Sequence, residues 1–202
     1  NVLDTGVKTN LMQDWAHSDQ EVLDASTGFE LKFNDQWKLM SSFNYQDSER
    51  FAEVSYPYGV MENGDFTDGA LLNDRPSTWE SWGVHTHIEG EFETGFITHQ
   101  LVVGGQYRTY DSYTDRSFPD VGPNNAHNLQ DLPKPALGRI DRFDYNYEEI
   151  GFFLTDTIKF NDQWSVLLGA RYGDIESRSD YALQRGTLIT GSENYSQDAW
   201  TP

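Results

Sequence analysis

The 202-residue sequence predicts an all-β fold, an antiparallel up-and-down meander of about six strands. Three observations predict it. Apolar residues recur at every second position rather than at helical spacing. Short polar turns alternate strictly with long polar stretches, so every long connection leaves from the same end of the sheet. Finally, 37% of residues are hydrophobic while 14% are aromatic, so the apolar positions are few and many of them are rings.

The elements follow in order along the chain. Leu23, Ala25, Thr27, Phe29, Leu31 and Phe33 share one face of a first strand. Across the turn Asn34-Asp35-Gln36, Trp37, Leu39, Ser41, Phe43 and Tyr45 share that of a second. Trp82, Val84, Thr86, Ile88, Gly90 and Phe92 are joined near Thr94-Gly95 to Leu101, Val103, Gly105 and Tyr107. Ile150, Phe152, Leu154, Ile158 and Phe160 lead through Asn161-Asp162-Gln163 to Trp164, Val166, Leu168, Ala170 and Tyr172. Asn, Asp and Gly suit the positive-φ positions of hairpin turns. The stretch Leu31-Lys32-Phe33-Asn34-Asp35-Gln36-Trp37 recurs as Ile158-Lys159-Phe160-Asn161-Asp162-Gln163-Trp164, one local solution for a hairpin tip used twice. The stretches 47–79, 111–144 and 174–198, together with residues 1–20, are polar and read as long loops, although a compact domain seldom carries several structureless ones of that length.

Two features favour a membrane β-barrel wall over a soluble sandwich. Rings close both ends of the apolar faces: Phe33, Trp37, Phe92, Phe160 and Trp164 near the short turns, and Tyr45, Trp82, Tyr107 and Tyr172 near the long stretches. Aromatic girdles about nine residues apart match a tilted strand crossing a bilayer. The opposite face is charged and glycine-rich, with Glu30, Lys32, His85, His87, Glu89, Glu91, Arg108 and Arg171, which suits a wet lumen. Asp156 is the one deviation, a carboxylate on an otherwise apolar face.

Several function classes are excluded. A formal net charge of -19, from 33 acidic and 14 basic residues, leaves no basic face for nucleic acid. Without cysteine there is no disulfide framework, no thiol nucleophile and no Cys-ligated zinc. No G-x-S-x-G elbow, phosphate loop or H-E-x-x-H is present, so no enzyme is indicated. Glu89 and Glu91 would lie about 7 Å apart, loosely matching an inverting glycosidase, with nothing else in support.

The stretch Gly151-Phe152-Phe153-Leu154-Thr155-Asp156-Thr157-Ile158-Lys159-Phe160, its Asn161-Asp162-Gln163-Trp164 tip and Leu168-Gly169-Ala170-Arg171-Tyr172 together resemble a hairpin of TonB-dependent siderophore receptors. The Phe33-to-Tyr45 and Glu91-to-Tyr107 hairpins are similar to those that precede it in such barrels, and Ala199-Trp200-Thr201-Pro202 resembles the opening of a next strand. The resemblance implies part of a plugged barrel of about 22 strands, with residues 1–202 a middle fragment of the β-barrel domain that lacks the plug and the remaining strands. It implies uptake of a ferric siderophore or similar scarce nutrient across the bacterial outer membrane. The TonB complex would act through parts of the receptor beyond this segment, and lipid would surround the wall. No cofactor is implied beyond the transported Fe(III)-siderophore. An isolated segment is expected to self-associate through its sheet edges.

For such a receptor the chemistry is binding. Tyr56, Tyr58 and Trp79 in the first long stretch, and Arg108, Tyr110 and Tyr113 at the base of the second, are the candidates for stacking and charge pairing with an iron chelate. Girdle rings and loop packing are the more ordinary roles for them. His85 and His87, two residues apart on one face with Glu89 beyond, are weak metal candidates beside the plainer role of solvated lumen residues. Asp111, Asp115, Asp120, Asn124 and Asn125 lack calcium-loop spacing. The competing reading is an acidic, aromatic-rich carbohydrate-binding β-sandwich, in which Trp37 and Trp164 lie in a core or on a flat sugar platform.

Overall fold

Alternating sequence becomes extended backbone. The computed structural model describes the backbone of residues 10–185 and 187–202, and the side chains of all of these except 184, 185 and 187. One antiparallel sheet holds β1 (His17–Lys32), β2 (Trp37–Tyr58), β3 (Asp65–Leu72), β4 (Ser77–Thr94), β5 (Ile97–Ser117), β6 (Asp120–Asn125), β7 (Ile140–Lys159), β8 (Ser165–Arg185) and β9 (Thr187–Thr201). Part of the first expected loop, residues 1–9, lies outside the described residues.

The expected strands are all present, but stretches 47–79, 111–144 and 174–198 are mostly strand rather than loop; only segments such as 126–139 stay irregular, and the count among the described residues rises from about six to nine. The added strands do not widen the sheet. β4 pairs with β2 from Trp37 opposite Gly90 to Arg50 opposite Ser77, and β3 then takes over the same flank from Glu53 opposite Leu72 to Tyr58 opposite Thr67. β5 follows β4 as far as Tyr113 and touches β3 at Ser117, after which β6 pairs with β3. β3 thus prolongs the lane of β4 and β6 that of β5. Stretch 174–198 is the outer half of the β8–β9 hairpin.

The short turns follow the sequence in position but not in mechanism. Among the described residues no non-glycine has positive φ; Gly95, at φ 69, opens the two-residue β4–β5 turn. At the twin tips the asparagine side chain does the work. Asn34 Oδ1 accepts from the backbone N–H groups of Gln36 (2.8 Å) and Trp37 (2.9 Å), and Asn161 Oδ1 from those of Gln163 (2.9 Å) and Trp164 (3.0 Å). The recurring Asn-Asp-Gln-Trp is therefore a side-chain-capped turn, and its geometry recurs with it.

Register puts the apolar alternation on one face. Phe43, Val84, Tyr107 and Ile150 lie directly opposite one another in successive strands, as do Phe152 and Tyr172, then Tyr172 and Trp200. Among the described residues nothing covers this face: Phe152 is 54% exposed, Leu168 56% and Trp164 70%. Rings meet across strands at both ends of it. Trp82 lies 5.2 Å from Tyr107 and Tyr172 5.2 Å from Trp200 at one end, and Trp37 stacks 6.3 Å from Phe92 at the other. Beyond the first set of rings the same face turns abruptly acidic. Asp47 faces Glu80, which faces Asp111; Glu148 faces Glu176, and Asp174 faces Asp198.

The buried core sits beyond those rings, in the stretches expected to be loops. Ala52, Phe66, Ala70, Leu72 and Ala126 are its apolar members, packed with buried Asp68, Asp115, Ser55 and Ser117. Asn73 turns the corner between β3 and β4 while preserving strand pairing. Its N–H donates to Ala52 O, its Oδ1 accepts from Ala52 N, and its Nδ2 donates to Ser77 Oγ and Asp115 O. A strap after β6 is tied down from the N-terminal side by Gln13. Gln13 Nε2 donates to Asp68 Oδ2 (2.6 Å) and Gln13 Oε1 accepts from Leu132 N (2.7 Å). Trp15 Nε1 donates to Leu132 O, and Lys134 Nζ lies 2.6 Å from Glu53.

Candidate functional site

On the polar face, at the depth of Tyr107, the side chains converge on one carboxylate. Arg108 and Glu149 are directly opposed on β5 and β7. Glu149 Oε2 accepts from Arg108 Nη2 (2.6 Å) and the Tyr147 hydroxyl (2.8 Å), and Oε1 from Gln106 Nε2 (2.8 Å) and Arg171 Nη2 (2.8 Å). Four donors fill the four acceptor positions of a carboxylate. Its side chain is 8% exposed, while those of Arg108 and Arg171 are 59% and 50% exposed. Arg171 reaches Glu149 past Gly151, where a Cβ would lie 3.7 Å from Arg171 Nη2 and 3.3 Å from Gln106 Cγ. The Arg108 guanidinium also stands 5.4 Å from the centroid of the Tyr147 ring, in cation–π range.

Arg108 borders an open hollow of about 440 Å³, whose polar lining includes Asp24, Ser26, Asn44, Gln46, Ser81 and Gly83. Strand alternation puts each of these on the face that Arg108 shares. The expected binding residues divide by the same parity. Tyr110 follows Arg108 outward on this face and meets Tyr145, ring centroids 6.1 Å apart. Trp79 pairs with Ser112 and belongs to it too. Tyr56 and Tyr58 stand higher up, 6.3 Å apart, over Gly69, where a Cβ would come within 3.1 Å of either ring. The Tyr58 hydroxyl donates to Asp120 (2.6 Å), and that bond pushes its pKa up. Tyr113 occupies the opposite face, that of Tyr107. Arg75 lies over its ring at 5.1 Å, and burial, with Asp115 beside it, pushes its hydroxyl pKa up.

The metal candidates are otherwise engaged. His87 Nε2 lies 3.1 Å from Glu89 Oε1, whose partner oxygen is 2.9 Å from Lys38, and His85 stacks on Phe153 at 5.4 Å. Asp111 bonds Asn146, Asp115 is clasped between Arg75 and Arg142, and Asp120 holds Tyr58. Among the described residues no group of three His, Cys, Asp or Glu side chains is placed to hold a metal ion. The Glu89–Glu91 pair gains no support as an acid–base couple, because Glu89 is committed to Lys38 and His87, and Glu91 accepts from Gln100.

Glu149, Tyr147, Gln106 and Arg171 were not among the expected site residues. Their alternation showed a charged face, but their convergence depends on the β5–β7–β8 register, which no local pattern reveals.

A family model described as TonB dependent receptor-like, beta-barrel matches residues 3–202. The metal-pseudopaline receptor CntO of Pseudomonas aeruginosa strain UCBPP-PA14 is 28% identical over 175 residues, covering 84% of this chain and 25% of the relative. The ferric-pyoverdine 358 receptor of Pseudomonas putida is 26% identical over 180 residues, covering 85% and 22%. The chain therefore spans about a quarter of the length of the curated relatives it matches. Among solved structures, the siderophore receptor PiuA of Acinetobacter baumannii superposes with a TM-score of 0.73 at 17% identity, over 94% of this chain and 30% of that one. The open form of the ferric-catecholate import receptor Fiu of Escherichia coli K12 superposes with a TM-score of 0.76 at 14% identity, over 93% and 33%. These two likenesses bear on the fold.

Proposed function

The chain belongs to the TonB dependent receptor-like β-barrel family, and from that membership we propose that its residues form part of the wall and outer vestibule of an outer-membrane receptor importing ferric siderophores or related metal chelates. The observation that carries the reading is the division of the sheet's two faces. One face is apolar, ring-bordered and left uncovered by the described residues, as lipid requires; the other carries Arg108, Tyr110, Tyr147 and Trp79, as a wet lumen requires. The relatives' printed names, receptors for metal-pseudopaline and ferric pyoverdine, support a chelated metal as cargo. Import would be energised by the TonB complex acting on parts of the receptor outside this segment, and the segment would be a fragment of a larger barrel domain.

Tyr56, Tyr58, Trp79, Arg108 and Tyr110 are the residues assigned to the ligand-facing side. Tyr113, on the opposite face under Arg75, is assigned to packing. The carbohydrate-binding sandwich finds no support: the described strands form one sheet, Trp164 is 70% exposed at a turn, and Trp37 stacks on Phe92 at the sheet's end. Deleting the gene should abolish growth on its ferric chelate under iron limitation, and complementation should restore it. Unchanged uptake of every iron and other metal chelate supplied would overturn the reading.

A further inference from the structure

We infer that Asn63 is a site of spontaneous covalent modification, where the side-chain amide is lost through a cyclic imide formed with the Gly64 nitrogen, and that His127 is the base promoting the loss. This chemistry goes beyond the receptor reading and does not depend on it. The tip between β2 and β3 brings its parts together.

Of the asparagines in the sequence, only Asn63 precedes a glycine. It is exposed at the tip, and Gly64, at φ 90, has no Cβ to keep its nitrogen from a neighbouring carbonyl carbon. The Asn63 side chain is held in one orientation. Asp65 N donates to Asn63 Oδ1 (3.2 Å), and Asn63 Nδ2 donates to Asp65 Oδ2 (2.6 Å). The first of these bonds polarises the amide carbonyl and stabilises the negative charge that attack on it creates. The His127 ring lies against Gly64, where a Cβ would come 2.5 Å from Cδ2 and 3.0 Å from Nε2. His127 N donates to Asn125 Oδ1 (2.8 Å), which anchors the imidazole at its root. Electrophile, nucleophile, oxyanion donor and base therefore meet in one turn. Gly64 N itself donates to Met61 O (3.0 Å), so the reaction starts when that bond opens.

Gly64 N then gives its proton to the imidazole and bonds to Asn63 Cγ. The Cγ–Nδ2 bond breaks, and Nδ2 takes the proton back and leaves as ammonia. Water opens the imide at either carbonyl, leaving aspartate or isoaspartate at position 63. Both products disturb what the turn holds. A new carboxylate would face Asp65, which now accepts from the amide. Isoaspartate also inserts an extra carbon into the main chain between residues 63 and 64. Gly64 O accepts from Ala126 N (2.9 Å) and Asn63 O from Asn125 Nδ2 (3.2 Å), so the end of the β3–β6 pairing and the root of the 126–139 strap loosen together.

The test ages the full receptor in detergent at mildly alkaline pH and follows each asparagine of this segment by peptide mass over days. Isoaspartate is read by enzymatic methylation. Asn63 should convert first, and the strap should become the earliest site of proteolysis in the converted protein. His127→Gln should slow the conversion about tenfold or more, as loss of a general base does. Dissolved imidazole should restore much of the rate in His127→Ala. Asn63→Gln, whose longer side chain closes the ring poorly, should keep the strap protected throughout. The mobility shift between unheated and heated samples on a gel checks that each variant is folded. An Asn63 amide that outlasts the other asparagines would overturn the site. An unchanged rate in folded His127→Gln would overturn the base, and a strap still protected after conversion would overturn the structural consequence.

Discussion

His99 Nδ1 lies 2.7 Å from Asp156 Oδ2, on the face otherwise given to apolar side chains. The pair accounts for the one carboxylate that breaks the alternation of β7. Thr94 Oγ1 is 2.8 Å from the other ring nitrogen of His99, and Phe92 stacks flat on that ring at 4.7 Å. An aspartate facing hydrocarbon alone would be costly; one partnered by an imidazole and screened by a phenyl ring at the inner girdle is tolerable. His99→Leu should therefore destabilise the folded protein by about 2–4 kcal/mol, because the carboxylate loses its partner. The double variant His99→Leu, Asp156→Leu should recover most of that loss. Urea unfolding in lipid vesicles reads both, and equal stability of the single and double variants would show that the pair has no such role.

The twin turns should respond alike. Asn34→Ala and Asn161→Ala each remove an acceptor that holds two backbone N–H groups, and each is expected to cost about 1 kcal/mol. Aspartate at either position keeps the acceptor and should cost a few tenths at most. A large difference between the two sites would contradict their common geometry.

Asp115 is fully buried between Arg142, whose Nε lies 3.1 Å away, and Arg75, whose Nε lies 2.9 Å away. Asp115→Ala strands two half-exposed cations and releases Arg75, two residues beyond the corner built on Asn73, while the Asn73 bond to the backbone carbonyl of residue 115 is kept. A loss of about 3 kcal/mol is expected, on the scale of a broken buried pair discounted for the exposure of the arginines. Limited proteolysis should then cut first between residues 60 and 80. An unchanged digestion pattern would contradict a structural role for this clasp.

Burial raises the pKa of Asp68, and the Gln13 hydrogen bond only partly offsets it. A carboxyl group with a raised folded-state pKa favours folding while protonated. Its stabilising contribution is complete below the ordinary carboxylate range and is lost as pH rises through the folded pKa. The attachment of the 126–139 strap should accordingly weaken from mildly acidic to neutral pH, read as a falling protection factor of the Leu132 amide after correction for intrinsic base-catalysed exchange. Asp68→Asn should flatten that dependence. The same slope in both proteins would remove Asp68 as its cause.

The acidic rows beyond the rings put like charges directly opposite one another at Glu148–Glu176 and Asp174–Asp198. Such pairs are destabilising and screened by salt. Thermal stability should rise with sodium chloride, and Glu176→Gln should reduce that rise.

The wall was legible in the sequence because lipid on one side and water on the other force strict alternation, and alternation of apolar with polar residues is what a sequence displays. The outer half was not, because its small buried core mixes alanine, serine and aspartate with few large apolar residues, and the signal fades. In β3 only Phe66, Ala70 and Leu72 would mark a buried face, and Asp68 interrupts them. What makes Asp68 acceptable there is Gln13, 55 positions earlier. The site was legible in part for a similar reason. Parity put Arg108 and Tyr110 on the polar face, and the six-residue spacing from Tyr107 already put Tyr113 on the other. The convergence of Arg108, Arg171 and Tyr147 on Glu149 joins three strands and needed their register.

The most direct measurement is a single-cysteine scan of residues 150–158 in β7 of the full receptor, to which these 202 residues add no background cysteine. With spin labels in reconstituted vesicles, labels at 150, 152 and 154 should be relaxed by dissolved oxygen, which concentrates in hydrocarbon. Those at 151, 153 and 155 should be relaxed by a water-soluble nickel chelate. That period-two exchange of accessibility is what a wall with lipid on one face and a wet lumen on the other requires. Equal access of the nickel chelate to both sets would mean that the apolar face does not meet a bilayer, and the receptor-wall reading would fall with it.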